Sequence, residues 1–302
     1  MFTRDRGIGV TEALHGSAQD PVLVLFALLT QLGDVWFLFL LGGALYVAGD
    51  EFPRWGIDRR RGLFVLGLLL TYVALIGVLK QFFSLPRPPG AGDPPAIRWV
   101  PSVLQAVFAN IATGDGFGFP SGHAFGSTLV WGGFALVVVE DELSRVWLGV
   151  AGVVVGLVSL SRLVLGVHYL VDVVAGAGLG LVVLGVLYVI TDRGTAPGRV
   201  LLVAVAVGAL GLIHGFTFES VAALGSALGA WLTWHGIADS TPAHPSNRRE
   251  AGTGFAVLGL AGGFFALLYA FEPPLLVTFC GSAIAVSGAV VAPLAGQKLL
   301  DR

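Results

Sequence analysis

Long apolar segments dominate the sequence and leave few architectures open to it. Of its 302 residues, 55% are hydrophobic and only 12% are charged, whereas roughly 25% of residues are charged in soluble domains. A membrane helix needs about 20 apolar residues. Segments near that length occur at 21–48, 62–82, 122–139, 145–166, 169–191, 198–215, 219–237, 253–271 and 274–295. We therefore expect an all-α fold, a polytopic transmembrane helical bundle of about nine spans.

Net charge and cysteine content exclude several classes of function. The formal net charge is −2, so no basic field indicates nucleic acid as a partner. The single cysteine, Cys280, excludes an intrachain disulfide and a cysteine-based metal cluster. Residues 1–20 are expected to form a short amphipathic helix on the membrane surface.

The first polar cluster lies in the stretch VLKQFFSLPRPPG. If the helix continues past Lys80, a spacing of seven brings Lys80 and Arg87 to nearly one face. Pro86 and Pro88 would then end the helix. An ammonium and a planar guanidinium together suit a phosphate with several oxygens. Two cations that snorkel at a membrane interface would give the same pattern.

The second cluster, GFPSGHAFGS, opens an apolar helix. Ser121 is a good N-cap and Gly122 leaves backbone N–H groups uncovered, so this helix start is suited to an anion, with His123 beside it. The simpler alternative is an ordinary helix cap with an incidental histidine.

The third cluster, SRLVLGVHYLVD, contains a histidine and a carboxylate. His168 and Asp172 are four residues apart, so on a helix their side chains meet on one face. A carboxylate on one ring nitrogen fixes the tautomer and activates the other nitrogen, and Arg162 adds a guanidinium. A structural His–Asp pair is the alternative, but ionisable residues in membrane helices are costly and usually functional.

Read in order, the three clusters resemble the tripartite signature of the type 2 phosphatidic acid phosphatase (PAP2) superfamily. The matching residues are Lys80–x6–Arg87–Pro88, Pro120-Ser121-Gly122-His123 and Ser161-Arg162–x5–His168–x3–Asp172. The resemblance covers about residues 62–191 and implies a PAP2-type helical catalytic core in a membrane domain at 21–195. Two spans precede Lys80, where membrane members commonly have three. About four further helices are expected at 196–302, as a lipid entrance, a dimer surface or packing.

The resemblance also implies a role for each matched residue. His168 would attack phosphorus and form a phosphohistidine, Asp172 would orient it, and His123 would protonate the leaving group and then activate water. The residues that would hold the phosphate oxygens are Lys80, Arg87, Ser121, Gly122 and Arg162. No metal or other cofactor is expected, since three cations and helix-end N–H groups would stabilise the phosphate.

These roles predict a membrane lipid phosphatase that acts on a phosphomonoester or diphosphate. Phosphatidic acid, phosphatidylglycerophosphate and a polyprenyl diphosphate are the candidate substrates, and the oligomeric state stays open. The alternatives are a lipid phosphotransferase, in which another alcohol accepts the phosphoryl group, and a non-enzymatic anion or lipid transporter. Asp34 is either a carboxylate that supports the site or the outer boundary of the first apolar run, and we favour the boundary.

Lysine and arginine positions predict the orientation in the membrane. With the N-terminus outside, the outer loops hold Arg4, Arg6 and Arg98 apart from the three site cations. The cytoplasmic loops then hold Arg54, Arg59, Arg60, Arg61, Arg145, Arg193, Arg199, Arg248, Arg249, Lys298 and Arg302. This bias predicts a cell-membrane protein whose active site is on the extracytoplasmic face. One helix more or fewer before Lys80 would reverse the orientation.

Overall fold

A computed structural model describes residues 6, 8–49, 56–95, 97, 99–138 and 141–300 of the chain. Among the charges used for the orientation, Arg4, Arg54, Arg98 and Arg302 lie outside the described residues, as do residues 1–5 and 7 of the N-terminal segment.

The described part of the chain is all-helical. Its helices are α1 (Val10–Ser17), α2 (Asp20–Thr30), α3 (Val35–Ala48), α4 (Arg59–Phe83), α5 (Ser102–Ala112), α6 (Gly122–Val137), α7 (Asp141–Val164), α8 (Leu170–Ile190), α9 (Pro197–Gly211), α10 (Phe218–Ile237), α11 (Arg248–Phe271) and α12 (Leu275–Leu300). Short 3₁₀ turns follow α2 and α9.

The expected count of nine membrane spans is not confirmed. Within the described ranges, six helices are long and apolar enough to cross a membrane, namely α4, α7, α8, α9 with its 3₁₀ turn, α11 and α12. A seventh span results if α1 and α2, bent by 119°, are taken together. The 16 residues of α6 fall short of the roughly 20 that a bilayer requires.

The first apolar run, 21–48, was expected as one span but is broken in the middle. A 3₁₀ turn at Gln31–Gly33 ends α2, and Asp34 then caps α3 by accepting a hydrogen bond from the Trp36 N–H at 3.3 Å. A Cβ on Gly33 would lie 2.6 Å from Val158 Cγ1, so only glycine allows this close approach to α7. Asp34 is therefore a helix boundary inside the run.

The core is built around α4, which packs against α3, α6 and α9. Phe64, Leu68 and Phe125 are among its fully buried side chains. The helices α6 and α8 approach closely at two glycines, since a Cβ on Gly176 would lie 2.6 Å from the Ser121 carbonyl oxygen and one on Gly180 2.8 Å from Thr128 Cβ. This contact brings the starts of α6 and α8 side by side.

The C-terminal helices are packed onto this core. The helix α9 lies along α4, α10 contacts α9 and α12, and α11 contacts α3 and α12. At the start of α4, Arg59 donates a hydrogen bond to Glu250 of α11 at 2.7 Å, and both side chains are buried. Arg59 also donates to the Pro242 carbonyl at 3.3 Å. The ion pair ties the C-terminal helices to the core at the end opposite the sequence motifs.

Candidate active site

The three sequence motifs meet at one end of the bundle. Lys80 lies in the last turn of α4, and Arg162 in the last turn of α7. Asp172 lies in the first turn of α8, and the Pro120–His123 stretch leads into α6. Arg87 and His168 lie in the segments that follow α4 and α7. The positions proposed to hold phosphate and those proposed for chemistry therefore share one site.

His168 is the centre of this site and is buried, with 1% of its surface exposed. Its Nε2 lies 3.0 Å from Nη1 of Arg87. Because a guanidinium carries only donors, Nε2 must be the acceptor and the ring proton sits on Nδ1. The Nδ1 atom faces Oδ2 of Asp172 at 3.5 Å. Arg87 therefore selects this tautomer, and Oδ2 of Asp172 lies on the opposite side of the ring, although no described residue accepts a hydrogen bond from Nδ1.

His168 and Asp172 meet in a different way from the one expected. The prediction that they lie four apart on one helix is wrong, because α7 ends at Val164 and α8 begins at Leu170. Gly166 adopts a φ of +71° in the turn between them, a conformation that favours glycine. Oδ2 of Asp172 then reaches back to accept the Tyr169 N–H at 3.0 Å. The carboxylate caps its own helix and contacts the imidazole from there.

Arg87 is likewise placed by a loop and not by a continuous helix. The helix α4 ends at Phe83, and Ser84 adopts a left-handed φ of 49°, so the expected helical spacing from Lys80 is wrong. Arg87 donates to the Asp115 carbonyl from Nε and to the Val167 carbonyl from Nη1, both at 2.9 Å. A Cβ on Gly114 would lie 2.7 Å from Nη1. The long loop before α6 thus encloses the guanidinium.

Three cations surround the His168 ring. Burial lowers the pKa of His168 well below 6.5, and the charges of Arg87, Arg162 and Lys80 lower it further. Arg162 is 3% exposed and donates to Thr30 Oγ1 at 3.0 Å. Among the described residues, none accepts a hydrogen bond from its buried Nε. The imidazole is therefore neutral beside a cluster of positive charge, which suits a nucleophile for an anionic substrate.

The start of α6 is joined directly to α8. Ser121 caps α6 by accepting the Ala124 N–H at 3.5 Å, and its own backbone N–H donates to the Asp172 carbonyl at 2.9 Å. The Ser121 N–H is therefore already used. The first-turn N–H groups of Gly122 and His123 have no partner one turn earlier in their helix and are the ones left to meet an anion.

His123 has a carboxylate partner of its own. Its Nε2 lies 3.6 Å from Oδ2 of Asp34, and the ring is 22% exposed. Burial is the largest effect on Asp34 and opposes its ionisation, but the hydrogen bond and charge of His123, the Trp36 N–H and the charge of Arg162 together lower the pKa of this carboxyl below its ordinary value. Asp34 is thus a helix boundary inside the apolar run, not the outer boundary that we favoured, and it is also a neighbour of His123.

Sequence reasoning missed several side chains that contact site residues, among them Thr30 on Arg162 and two from the N-terminal segment. Arg6, counted only as an outer charge, donates to Oδ1 of Asp172 at 2.9 Å. Thr11, at the start of α1, donates to the His168 carbonyl at 3.0 Å. Both come from the N-terminal segment, and both contact the stretch that carries His168 and Asp172. The expected position of this segment on the membrane surface stays a prediction. No spacing to the three motifs marks either residue.

The described residues contain no group of three or more His, Cys, Asp or Glu side chains that could hold a metal ion. The donor set around His168 is cationic and suits an anion rather than a cation.

Comparisons with known proteins point to one superfamily. The model of the PAP2 superfamily matches residues 61–196. Phosphatidylglycerophosphatase B of Bacillus subtilis (strain 168) is 34% identical over 89 residues, which cover 28% of this chain and 43% of that protein. Sphingosine-1-phosphate phosphatase 2 of Mus musculus is 27% identical over 164 residues, which cover 51% of this chain and 42% of that protein. The chain thus spans less than half the length of these curated relatives.

One solved structure is also similar. It is the crystal structure of a transmembrane PAP2 type phosphatidylglycerolphosphate phosphatase from Bacillus subtilis, with 24% sequence identity and a TM-score of 0.47. The similarity covers 61% of this chain and 84% of that one.

Proposed function

Because residues 61–196 belong to the PAP2 superfamily, we propose that this multi-pass membrane protein is a phosphatase that hydrolyses a lipid phosphomonoester or diphosphate. Within it, 21–195 forms the catalytic membrane domain and 196–302 a C-terminal extension. The observation that carries the proposal is the environment of His168, a buried neutral imidazole with Arg87 at one ring nitrogen and Asp172 at the other.

In the first step, Nε2 of His168 attacks phosphorus in line with the leaving oxygen. The N–P bond forms, the P–O bond to the lipid breaks, and His123 gives a proton to the departing oxygen. Arg87 must release Nε2 before attack, and phosphate oxygens offer its guanidinium a stronger, bidentate partner. Asp172 stabilises the positive charge that His168 gains.

In the second step, water replaces the histidine on phosphorus. His123, now neutral, takes a proton from the attacking water, the N–P bond breaks, and inorganic phosphate is released with His168 restored. Lys80, Arg87, Arg162 and the first-turn N–H of Gly122 would hold the equatorial oxygens, where charge develops in the transition state. Ser121 contributes through its contact with the Asp172 carbonyl, which aligns the two helices. The three cations make a metal ion unnecessary for this role.

A lipid is the substrate class that the setting favours. The site lies at the end of a membrane bundle, and both curated relatives are named for lipid phosphates. Phosphatidic acid, phosphatidylglycerophosphate and a polyprenyl diphosphate all present a terminal phosphate on a membrane anchor.

The distribution of arginines supports a site on the extracytoplasmic face of the cell membrane. At the end of the bundle opposite His168 lie Arg59, Arg60, Arg61, Arg193, Arg199, Arg248 and Arg249. Since cytoplasmic loops are enriched in Lys and Arg, this end is proposed to face the cytoplasm.

The test is release of inorganic phosphate by the purified chain in detergent micelles. Phosphatidic acid, phosphatidylglycerophosphate and a polyprenyl diphosphate are each supplied in the presence of EDTA. We expect turnover of at least one lipid and loss of turnover in His168→Ala. The variant His214→Ala, at an exposed helix end, serves as the matched control and should retain activity. No release from any of the lipids, or full activity of His168→Ala, would overturn the proposal.

A further inference from the structure

The N-terminal segment carries a buried cation that the proposed mechanism does not use. Arg6 is 8% exposed, and it contacts Asp172, which is fully buried. Burying a charge costs free energy unless the charge is paired and hydrogen-bonded. A guanidinium buried at this position is therefore better explained by its partners in the site than by anchoring to the membrane surface.

The contacts of Arg6 join two of the three motifs. Its Nη1 donates to Oδ1 of Asp172 at 2.9 Å, and its Nη2 donates to the Pro86 carbonyl, next to Arg87. Its guanidinium carbon also lies 4.9 Å from the centre of the Tyr169 ring, a cation–π distance. Asp172 is itself a residue of the proposed site, Pro86 precedes Arg87, and Tyr169 follows His168.

Arg6 completes the hydrogen bonding of the Asp172 carboxylate. The Tyr169 N–H occupies Oδ2, and Arg6 occupies Oδ1. With both oxygens bound, the plane of the carboxylate is fixed and Oδ2 stays directed at Nδ1 of His168, 3.5 Å away. With Oδ1 free, the carboxylate could rotate toward the nearby cations and leave the imidazole without its orienting partner.

We infer that Arg6 is a positioning residue of the active site, which acts through Asp172 to hold His168 in the attacking tautomer and orientation. The inference rests on the proposed function. It places the N-terminal segment within the catalytic unit, outside the residues 61–196 that match the superfamily.

Two further contacts hold the same segment in place. Thr11 donates to the His168 carbonyl at 3.0 Å, and the His15 ring donates from Nδ1 to the Val164 carbonyl at 2.9 Å. The acceptors are the last residue of α7 and a residue of the turn that links α7 to α8. The described residues of the N-terminal segment therefore hydrogen-bond to the backbone around the turn that carries the proposed nucleophile, and Arg6 contacts Asp172 beyond that turn.

The test compares steady-state phosphate release by the wild type, Arg6→Gln, Arg6→Met and Arg6→Lys, on whichever of the three lipid phosphates the wild type hydrolyses. Arg199→Gln is the matched control, because Arg199 forms an Arg–Asp pair with Asp192 that is exposed and lies at the other end of α8. We expect kcat to fall about 100-fold in the Gln and Met variants, as for the loss of other groups that orient a ligand through a second residue. KM should change less than about threefold, because Arg6 acts on the nucleophile's partner. Arg6→Lys should recover at least part of the lost kcat, since it keeps the charge.

A double-mutant cycle tests whether Arg6 acts through Asp172. In an Asp172→Asn background, the change Arg6→Gln should lower kcat no further, because residues that work as a unit give non-additive effects. Thermal unfolding confirms that each variant is folded.

Three results would overturn the inference. They are a kcat within threefold of the wild type in the folded Gln or Met variant, an effect confined to KM, and a folded Arg6→Lys variant as impaired as Arg6→Gln. A wild type that releases no phosphate would instead overturn the proposed function, and the inference with it.

Discussion

The contact between α6 and α8 can be tested by adding a single methyl group. Gly176 of α8 lies against Ser121, the cap of α6, and a Cβ at this position would lie 2.6 Å from the Ser121 carbonyl oxygen. The obstacle is backbone, which cannot rotate away. In Gly176→Ala the two helices must therefore separate at the point where two motifs meet.

The size of the effect follows from the geometry. Cβ contacts below 3.0 Å are essentially never seen, so the helices must move apart by at least 0.4 Å, the difference between 3.0 and 2.6 Å. The neighbouring bond from the Ser121 N–H to the Asp172 carbonyl, now 2.9 Å, lengthens as they do. A misplacement of about 1 Å costs roughly 100-fold in rate, so we expect kcat to fall about 10- to 100-fold. Overpacking of this kind destabilises by about 1–3 kcal/mol.

Gly178→Ala is the matched control, because it makes the same change two residues along α8 with no atom within 4 Å of the new Cβ. It should keep full activity, and its higher helix propensity is worth up to about 1 kcal/mol. The assay is phosphate release at saturating lipid, alongside thermal unfolding of both variants. Equal activity and equal unfolding temperature in the two variants would refute the close approach on which the site depends.

Three other predictions concern charged groups. Asp34→Asn should lower kcat by about 100-fold in the phosphate-release assay, because His123 loses its charged partner. This factor is the lower end of the range for general acid–base catalysis. An unchanged kcat would contradict a role for Asp34 in supporting His123. Glu250→Gln should lower the free energy of unfolding by about 3–5 kcal/mol in a denaturation series, because it leaves the buried charge of Arg59 unpaired. A loss below about 1 kcal/mol would argue against a buried ion pair. Since burial lowers the pKa of His168, its imidazole should stay neutral as pH falls through 6.5. Histidine ¹⁵N NMR of the substrate-free protein measures this, and a His168 ring that is protonated at pH 6.5 would contradict the burial.

The helical class of the fold could be predicted from the sequence, but the number of spans could not. Apolar length alone gives no sign that the run 21–48 breaks at Gly33, where the chain packs closely against Val158 of α7. The helix at Gly122–Val137 is too short to be identified as a membrane span by its length. It is nevertheless part of the core, because it packs between α4, α7 and α8. Hydropathy reports that a segment is removed from water and does not distinguish burial in lipid from burial in protein.

The motif residues of the candidate site could be chosen from the sequence, but their local geometry could not. Helical spacing was used to join Lys80 to Arg87 and His168 to Asp172. In the first pair, α4 ends before Arg87 is reached. In the second pair, His168 lies in the turn between α7 and α8, and Asp172 lies on α8. Turns with a left-handed residue, at Ser84 and Gly166, replace the helical periodicity. Arg6 could not be identified as a residue near the site, because it lies more than 70 residues before the first motif and shares no spacing with it.

Two histidine–carboxylate pairs of unequal burial suit the two tasks of the proposed reaction. The nucleophile must keep its lone pair free of protons, and His168, which is 1% exposed and faces three cations, is shielded from both water and acid. The acid–base group must exchange a proton with the leaving group and then with water, and His123 is the more exposed of the two rings, at 22%. The carboxylates differ in the same sense, since Asp172 is fully buried and forms an ion pair with Arg6, whereas Asp34 is 36% exposed and faces His123. The difference in exposure therefore supports the proposed assignment of attack to His168 and of proton transfer to His123.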